Sequence, residues 1–371
     1  MSVSKKVLTE LFQMAGVQVN GPNPWDPQVH DDRFFPHVVK LKNMGLGEAY
    51  MDGWWSCAQL DEFIHRILSA HLDEKLKQNW RLLLKMLPAH VFNLQKSRAF
   101  EVGEKHYDTG NDLFEIMLDK RLTYTCAYWK NTCNLDDAQE AKLDLVCRKI
   151  GLKPGQTVLD IGCGWGSFAK FAAEHYGVSM VGITVSKEQA ALAKKLCEGL
   201  PVDIQLRSYS TLENQQFDHI ISLGMFEHVG YKNYRTYFKV AHRLLKDEGL
   251  FLLHTIGNNH SVKATDPWIH QYIFPNSMLP SVKQIGEATE GLFVMEDWHN
   301  FGADYDKTLM AWHQNFVTGW DQIKANYSDT FYRMWEYFLL SCAGSFRARR
   351  NQLWQIVLSK YGVPGGYQSI R

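Results

Sequence analysis

One segment constrains this chain more than any other: an apolar strand that runs straight into three closely spaced glycines, Val158-Leu159-Asp160-Ile161-Gly162-Cys163-Gly164-Trp165-Gly166. Glycine lets the backbone turn tightly and lets a ligand approach it closely. The residues that follow, Ser167–His175, carry a helical pattern, so the glycines mark a strand-to-helix turn. The same alternation continues to the end of the chain. Six further apolar runs read as strands: Met180–Thr184, Asp203–Arg207, His219–Leu223, Leu250–His254, Phe293–Asn300 and Leu353–Leu358. Helical stretches such as Lys187–Cys197 and Tyr234–Leu245 lie between most of them. This alternation predicts an α/β fold, a largely parallel seven-stranded sheet covered by helices on both faces. In such a sheet ligands bind outside the carboxyl ends of the strands, near the point where the strand order reverses.

The GxGxG spacing after an aspartate differs from the dinucleotide-binding spacing. It resembles the first motif of the class I methyltransferases, which holds the methionyl part of S-adenosyl-L-methionine (SAM). That resemblance implies a Rossmann-like SAM domain with Asp160, Gly162 and Gly164 at the cofactor. Many relatives place an acidic residue at the end of the second strand, for the ribose hydroxyls. Here Thr184 stands there, with Gln189 one turn into the next helix, and both side chains offer uncharged hydrogen bonds. The adenine is expected beside Ser208 and Tyr209, where relatives often carry an acidic residue in place of Ser208.

The segments after strands four and five should face the same cleft. They contain Gly224-Met225-Phe226-Glu227-His228-Val229-Gly230 and His254-Thr255-Ile256-Gly257, so Glu227 and His254 are expected beside the sulfonium methyl. Aromatic residues crowd these loops and the segment before strand one, among them Tyr124, Tyr128, Trp129, Trp165, Phe226 and Trp268. An aromatic pocket suits an apolar substrate and stabilises a cation through the faces of its rings.

Several segments together extend the resemblance along nearly the whole chain. They are Met51-Asp52-Gly53-Trp54-Trp55, Glu104-Lys105-His106-Tyr107-Asp108, Tyr124-Thr125-Cys126-Ala127-Tyr128-Trp129, the glycine turn, Gly224–Gly230, Leu253–Gly257 and Phe301-Gly302-Ala303-Asp304-Tyr305-Asp306. In this order they resemble the bacterial cyclopropane fatty acid synthases. The catalytic part also resembles the mycolic acid cyclopropane synthases, which lack the first domain. The resemblance implies that an alkene attacks the SAM methyl, and that the resulting carbocation closes to a cyclopropane as a proton leaves the added methyl. It implies a bound bicarbonate as base, held by Cys126, Glu227, His254, the backbone of Ile256 and Tyr305. Tyr124 and Thr125 are implied as SAM contacts on a lid that precedes strand one. The implied substrate is the unsaturated acyl chain of a membrane phospholipid, and the implied assembly is a homodimer. A plain methyl transfer to an unsaturated lipid is the alternative reaction on the same fold.

Forty basic and forty acidic residues cancel, which argues against nucleic acid as a partner. No Asn/Asp-Pro-Pro-aromatic motif follows strand four, which argues the same way. Seven cysteines without regular pairing fit a reducing compartment, and no cysteine–histidine cluster has metal-ligand spacing. No signal peptide or membrane span is read, so a cytoplasmic protein resting on the inner face of the cell membrane is expected. Residues 1–92 are expected to form a small helical domain for lipid and membrane contact, and residues 93–371 the catalytic domain. The last helix of the first domain places Leu76, Trp80, Leu83, Leu84 and Leu87 on one face, beside Lys77, Arg81 and Lys85. Six basic residues and no acidic one lie between Lys75 and Arg98. Such a basic amphipathic pattern suits an anionic membrane surface. Replacing Lys77, Arg81 and Lys85 together by glutamine is expected to weaken sedimentation with anionic vesicles and to flatten its salt dependence. Unchanged sedimentation of that variant would remove the membrane role of this helix.

Overall fold

The computed structural model describes residues 2–72, 110–213 and 215–371. The basic helix at 75–98, the Glu104–Asp108 segment and the expected domain cut at 92/93 lie outside the described residues. The chain divides into two compact units. One comprises Met1–Leu113, Thr265–Pro275 and Leu309–Arg350; the other comprises Phe114–Ala264, Asn276–Thr308 and Asn351–Arg371. The first unit therefore takes in two stretches from the second half of the chain.

In the first unit the described elements are mostly helices. Val3–Met14, Phe34–Leu41, Asn43–Met51 and Leu60–Ser69 are joined by Pro267–Tyr272 and the long Asp329–Arg347. A two-residue antiparallel pairing links Gln28–Val29 to Trp55–Ser56. Trp55 is fully buried against Phe34, Tyr50 and Phe63, and its indole N–H donates to the Leu46 carbonyl at 3.1 Å. Arg333 lies over the Tyr50 ring and donates to the Trp55 carbonyl, which ties the Asp329–Arg347 helix to this aromatic core. Within the MDGWW segment Trp55 is thus the packing centre, while Asp52 and Gly53 are exposed.

The second unit is the α/β sheet. Its strands are β1 (Thr157–Ile161), β2 (Ser179–Thr184), β3 (Val202–Leu206), β4 (Phe217–Leu223), β5 (Leu245–Asn258), β6 (Val294–Asn300) and β7 (Asn351–Ser359). They lie in the order β3-β2-β1-β4-β5-β7-β6. The first five are parallel, and β7 runs antiparallel between β5 and β6. The order reverses between β1 and β4, which places the switch point where the glycine turn leaves the sheet.

Alternation along the strands builds two cores. Leu159, Ile161, Ile220, Phe251, Leu253, Ile356 and Leu358 pack on one face with the helices Tyr234–Leu244 and Val282–Thr289. Val158, Met180, Ile221, Leu252 and Val357 pack on the other, with the helices Leu135–Lys149 and Ser167–Tyr176. Asp160 shares the parity of Val158, so its carboxyl faces the Leu135–Lys149 helix. That helix begins at an Asn134 cap, carries Asp136 and Asp137 in its first turn, and ends on Arg148 and Lys149. The charge order complements the helix dipole.

Gly257 in β5 lies beneath the Trp354 ring of β7, and a Cβ there would fall inside the indole. Gly257→Ala is expected to lower stability by about 1–3 kcal/mol through overpacking, read as an earlier denaturant midpoint. An unchanged midpoint would show that Trp354 can move aside.

Candidate active site

The glycine turn is held by the neighbouring strand. The backbone N–H groups of Gly162 and Cys163 both donate to the Ile183 carbonyl at 3.0 Å. Gly162 and Gly164 have φ of +87° and +54°, in the left-handed region where L side chains are strained. A Cβ at Gly162 would come within 2.6 Å of Met225, while one at Gly164 would meet nothing within 4 Å. The first glycine is therefore required by packing, and the second opens onto free space. Asp160 is buried, and one of its carboxylate oxygens, Oδ1, has no hydrogen-bond partner among the described residues. Burial raises its pKa to about 7, against the pull of the Lys142 charge.

The two residues expected at the ribose are bonded to each other. Thr184 Oγ1 donates to Gln189 Oε1 at 2.9 Å and accepts from the Ser186 N–H. Ser208 caps the short 3-10 turn Tyr209–Thr211, and its hydroxyl lies 2.9 Å from that of Ser210. The Tyr209 ring meets Tyr237 edge-on at 5.1 Å.

The segment expected as a lid lies against the turn after β4. Thr125 fits there because Gly224 has no side chain: a Cβ on Gly224 would approach Thr125 Cγ2 to 2.7 Å. The Phe114 ring sits between Tyr124, at 5.1 Å, and Trp165 of the glycine turn, at 4.9 Å. Cys126 is fully buried. Its thiol donates to the Ala127 carbonyl at 3.2 Å and lies 3.9 Å from Thr308 Oγ1. Burial pushes the thiol pKa well up, so Cys126 is a neutral hydrogen-bonding group and not a thiolate nucleophile. Thr308 also accepts from the Ala127 N–H and the Trp129 indole. It lies one turn beyond Tyr305 in the helix that starts at Ala303, so Tyr305 and Thr308 share a helix face.

Glu227 and Ile256 are in direct contact. Glu227 stands in the 3-10 turn after β4, and its Oε1 accepts the Ile256 N–H at 2.7 Å. Oε2 is buried and has no hydrogen-bond partner among the described residues. Burial drives the Glu227 pKa up to about 7, against the lowering effect of the Ile256 bond. His254 pairs with Leu223 across β4 and β5 and is fully buried. Burial, helped by the charges of Lys142 and Lys149, holds its pKa well below the usual range, so the ring is neutral. The Gln355 side-chain amide lies 3.3 Å from His254 Nδ1. The other ring nitrogen, His254 Nε2, has no hydrogen-bond partner among the described residues. The site therefore presents an imidazole nitrogen and a carboxyl oxygen that are both buried and both need a partner.

The sequence pattern did not single out Lys142, Gln139, Gln355 or Thr308. Gln139 donates to the Thr125 carbonyl at 2.8 Å, and Lys142 donates to Thr125 Oγ1 at 2.7 Å. The available signal was polar residues placed in the stripe of Leu135, Ala138, Leu143 and Val146. Gln355 gave a similar one inside the apolar run of β7. Among the described residues no group of three His, Cys, Asp or Glu could hold a metal ion, and no helix is long and apolar enough to cross a membrane.

The strand order and the glycine turn are those of a class I SAM-dependent methyltransferase, and solved structures bear this out. A cyclopropane synthase of Mycobacterium tuberculosis matches with a TM-score of 0.65 and 31% identity, over 72% of this chain and all of its own. A mycolic acid cyclopropane synthase solved with SAH and CTAB matches at 0.64 and 33%, with the same coverage. The family model for mycolic acid cyclopropane synthetase matches residues 94–356, and the chain belongs to that family. The cyclopropane-fatty-acyl-phospholipid synthase of Escherichia coli K12 is 53% identical over 99% of this chain and 96% of its own. Cyclopropane mycolic acid synthase 2 of Mycobacterium leprae is 34% identical over 74% of this chain and 98% of its own.

Because burial raises Glu227 from 4.5 to about 7, the folded state holds its proton more tightly than the unfolded chain does. The protonated form costs nothing below about pH 4.5, and stability declines as pH rises through 7. Glu227→Gln is expected to remove this decline and to be more stable than the parent by about 3 kcal/mol near pH 8. Parallel pH–stability curves for the two proteins would show that Glu227 is not held neutral.

Proposed function

We propose that this enzyme transfers the methyl carbon of SAM, as a methylene, to cis double bonds in the unsaturated acyl chains of membrane phospholipids. The observation that carries this reading is the pair of buried, unpartnered atoms, His254 Nε2 and Glu227 Oε2, at the carboxyl ends of β4 and β5. A methyl transfer to nitrogen or oxygen needs no second proton acceptor beside the methyl group. Ring closure does, because the added methyl must lose a proton. The near-full-length likeness to the Escherichia coli enzyme supports phospholipid as the substrate.

SAM fits the first part of the site. Asp160 Oδ1 lacks a partner, and Gly164 leaves the space a ligand would fill. SAM supplies an electrophilic methyl on a sulfonium. Asp160, Gly162 and Gly164 would hold its methionyl part, Thr184 and Gln189 the ribose, and Ser208 and Tyr209 the adenine. Tyr124 and Thr125 would close over it. The Thr184–Gln189 bond must open, or turn one of its lone pairs outward, to serve the ribose.

Bicarbonate fits the second part, where it would supply a base that methyl transfer does not consume. His254 Nε2 would donate to it, and Glu227 in its neutral form would share its proton with an anion instead of repelling it. Cys126, Tyr305 and the Ile256 backbone complete the set we assign to it. The Ile256 N–H already serves Glu227, so its part is to fix the carboxyl in place. The neutral imidazole orients the anion and leaves the proton to it. We further propose that the protein works as a homodimer at the inner face of the cell membrane, reached through the basic segment near Lys77. Two such segments in one particle would add avidity.

The test is incubation of purified protein with SAM and vesicles of cis-monounsaturated phospholipid, with and without bicarbonate. Fragmentation of the acyl chains should reveal a gain of one CH2 as a cyclopropane, reduced when bicarbonate is withheld. His254→Gln should lose at least about a hundredfold in kcat and keep its affinity for SAM. A methyl branch as product would replace methylenation with plain methylation. Full activity without bicarbonate would remove the anion from the mechanism.

A further inference from the structure

We propose that Lys142 is a positioning residue: from the buried side of the Leu135–Lys149 helix it fixes Thr125 against the turn after β4 and so sets the affinity for SAM. The proposal rests on the reading that SAM binds at the glycine turn. Lys142 is fully buried, in a helix interior where an amphipathic pattern calls for an apolar side chain. Lysine is almost never fully buried unless a partner requires it. Its ammonium donates to Thr125 Oγ1 at 2.7 Å. One turn earlier on the same face, Gln139 donates to the Thr123 and Thr125 carbonyls at 3.3 and 2.8 Å. Together they grip both the backbone and the side chain of the segment that carries Tyr124, Thr125 and Cys126.

Two carboxyl groups and one neutral thiol lie around Lys142, and they come from three places. Asp119 precedes the segment, and its carboxylate is itself bonded to the Thr123 and Arg121 N–H groups. Asp160 comes from the end of β1, and Cys126 from the segment itself. A single buried cation therefore lies between the strand that starts the glycine turn and the segment that closes over it. The space left by Gly224 lets Thr125 sit close enough to be held in this way. Asp160 Oδ1 has no hydrogen bond among the described residues, and the Lys142 charge acts on that carboxyl through space, partly offsetting its burial. A lysine that only supported the fold would do so equally well without touching Thr125.

The experiment is a double-mutant cycle on the full chain, with SAM affinity read by calorimetry and folding read by thermal unfolding. Lys142→Met and Thr125→Val should each weaken SAM binding at least tenfold, and the double variant no further than the weaker single. Thr125→Ser keeps the accepting hydroxyl and should stay within about threefold of the parent. If Lys142→Met does not fold, Lys142→Gln takes its place in the cycle, and the same non-additive loss is expected. A Lys142 variant that melts earlier but binds SAM within twofold of the parent overturns the proposal. So do losses that multiply in the double variant, since the two residues then act separately. A parent protein that fails to bind SAM refutes the functional reading instead, and is told apart because it precedes any substitution.

Discussion

The pairing of Leu223 with His254 across β4 and β5 is the contact on which the site depends. It aligns the ends of two parallel strands, so that the turn after one and the last residues of the other emerge together. The Gly224 N–H then donates to the His254 carbonyl at 2.9 Å, and Glu227 reaches the Ile256 N–H three residues later. Side chains alternate along a strand. A slip of one residue in this register would turn His254 to the opposite face and bring Thr255 into its place. The deep apolar packing of β4 and β5, with Ile220, Ile221, Phe251, Leu252 and Leu253 on the two faces, fixes that register. The chemistry is thus located by ordinary core packing.

That packing also explains why the site's ionisable groups are tuned as they are. Asp160, Glu227, His254 and Lys142 all lie where water does not reach, and in each case burial is the largest influence on the pKa. Burial favours the neutral form of every one of them. For His254 and Glu227 this suits the proposed role, in which a neutral imidazole would not compete for the proton and a neutral carboxyl would tolerate a neighbouring anion. For Asp160 and Lys142 the opposite charge of each opposes the effect of burial.

Much of this was legible in the sequence, because it follows from local pattern. All seven strands of the sheet stand where apolar runs flanked by turn residues put them. The glycine turn and the groups after β4 and β5 follow from the rule for doubly wound sheets. The ends of β5 were not legible. Its first residues, Lys246-Asp247-Glu248, are polar, and they extend the strand only because Leu245 pairs with Phe217. The reversed direction of β7 was not legible either, since an apolar run carries no sign of its direction. Residues 265–275 and 309–350 fall inside the stretch 93–371 expected as one domain, whereas their contacts group them with the N-terminal helices. Contacts far apart in sequence leave no local trace.

Lys142 is the instructive omission. On a helical pattern a lysine among Leu, Ala and Val reads as the solvated edge of the face, because long charged side chains usually reach water. Here the helix is covered on that side by the segment 123–126, and the ammonium ends on a threonine hydroxyl with no route out. The residues expected at the site are those whose types and motifs advertise the chemistry. Those that hold them, Lys142, Gln139, Gln355 and Thr308, act on other side chains and on backbone carbonyls. Gln355 makes the point most simply: its side-chain amide lies 3.3 Å from His254 Nδ1, inside the apolar run of β7. It stands there because β7 runs antiparallel beside β5 with Gln355 opposite His254, so the neighbour of this buried imidazole is set by sheet pairing.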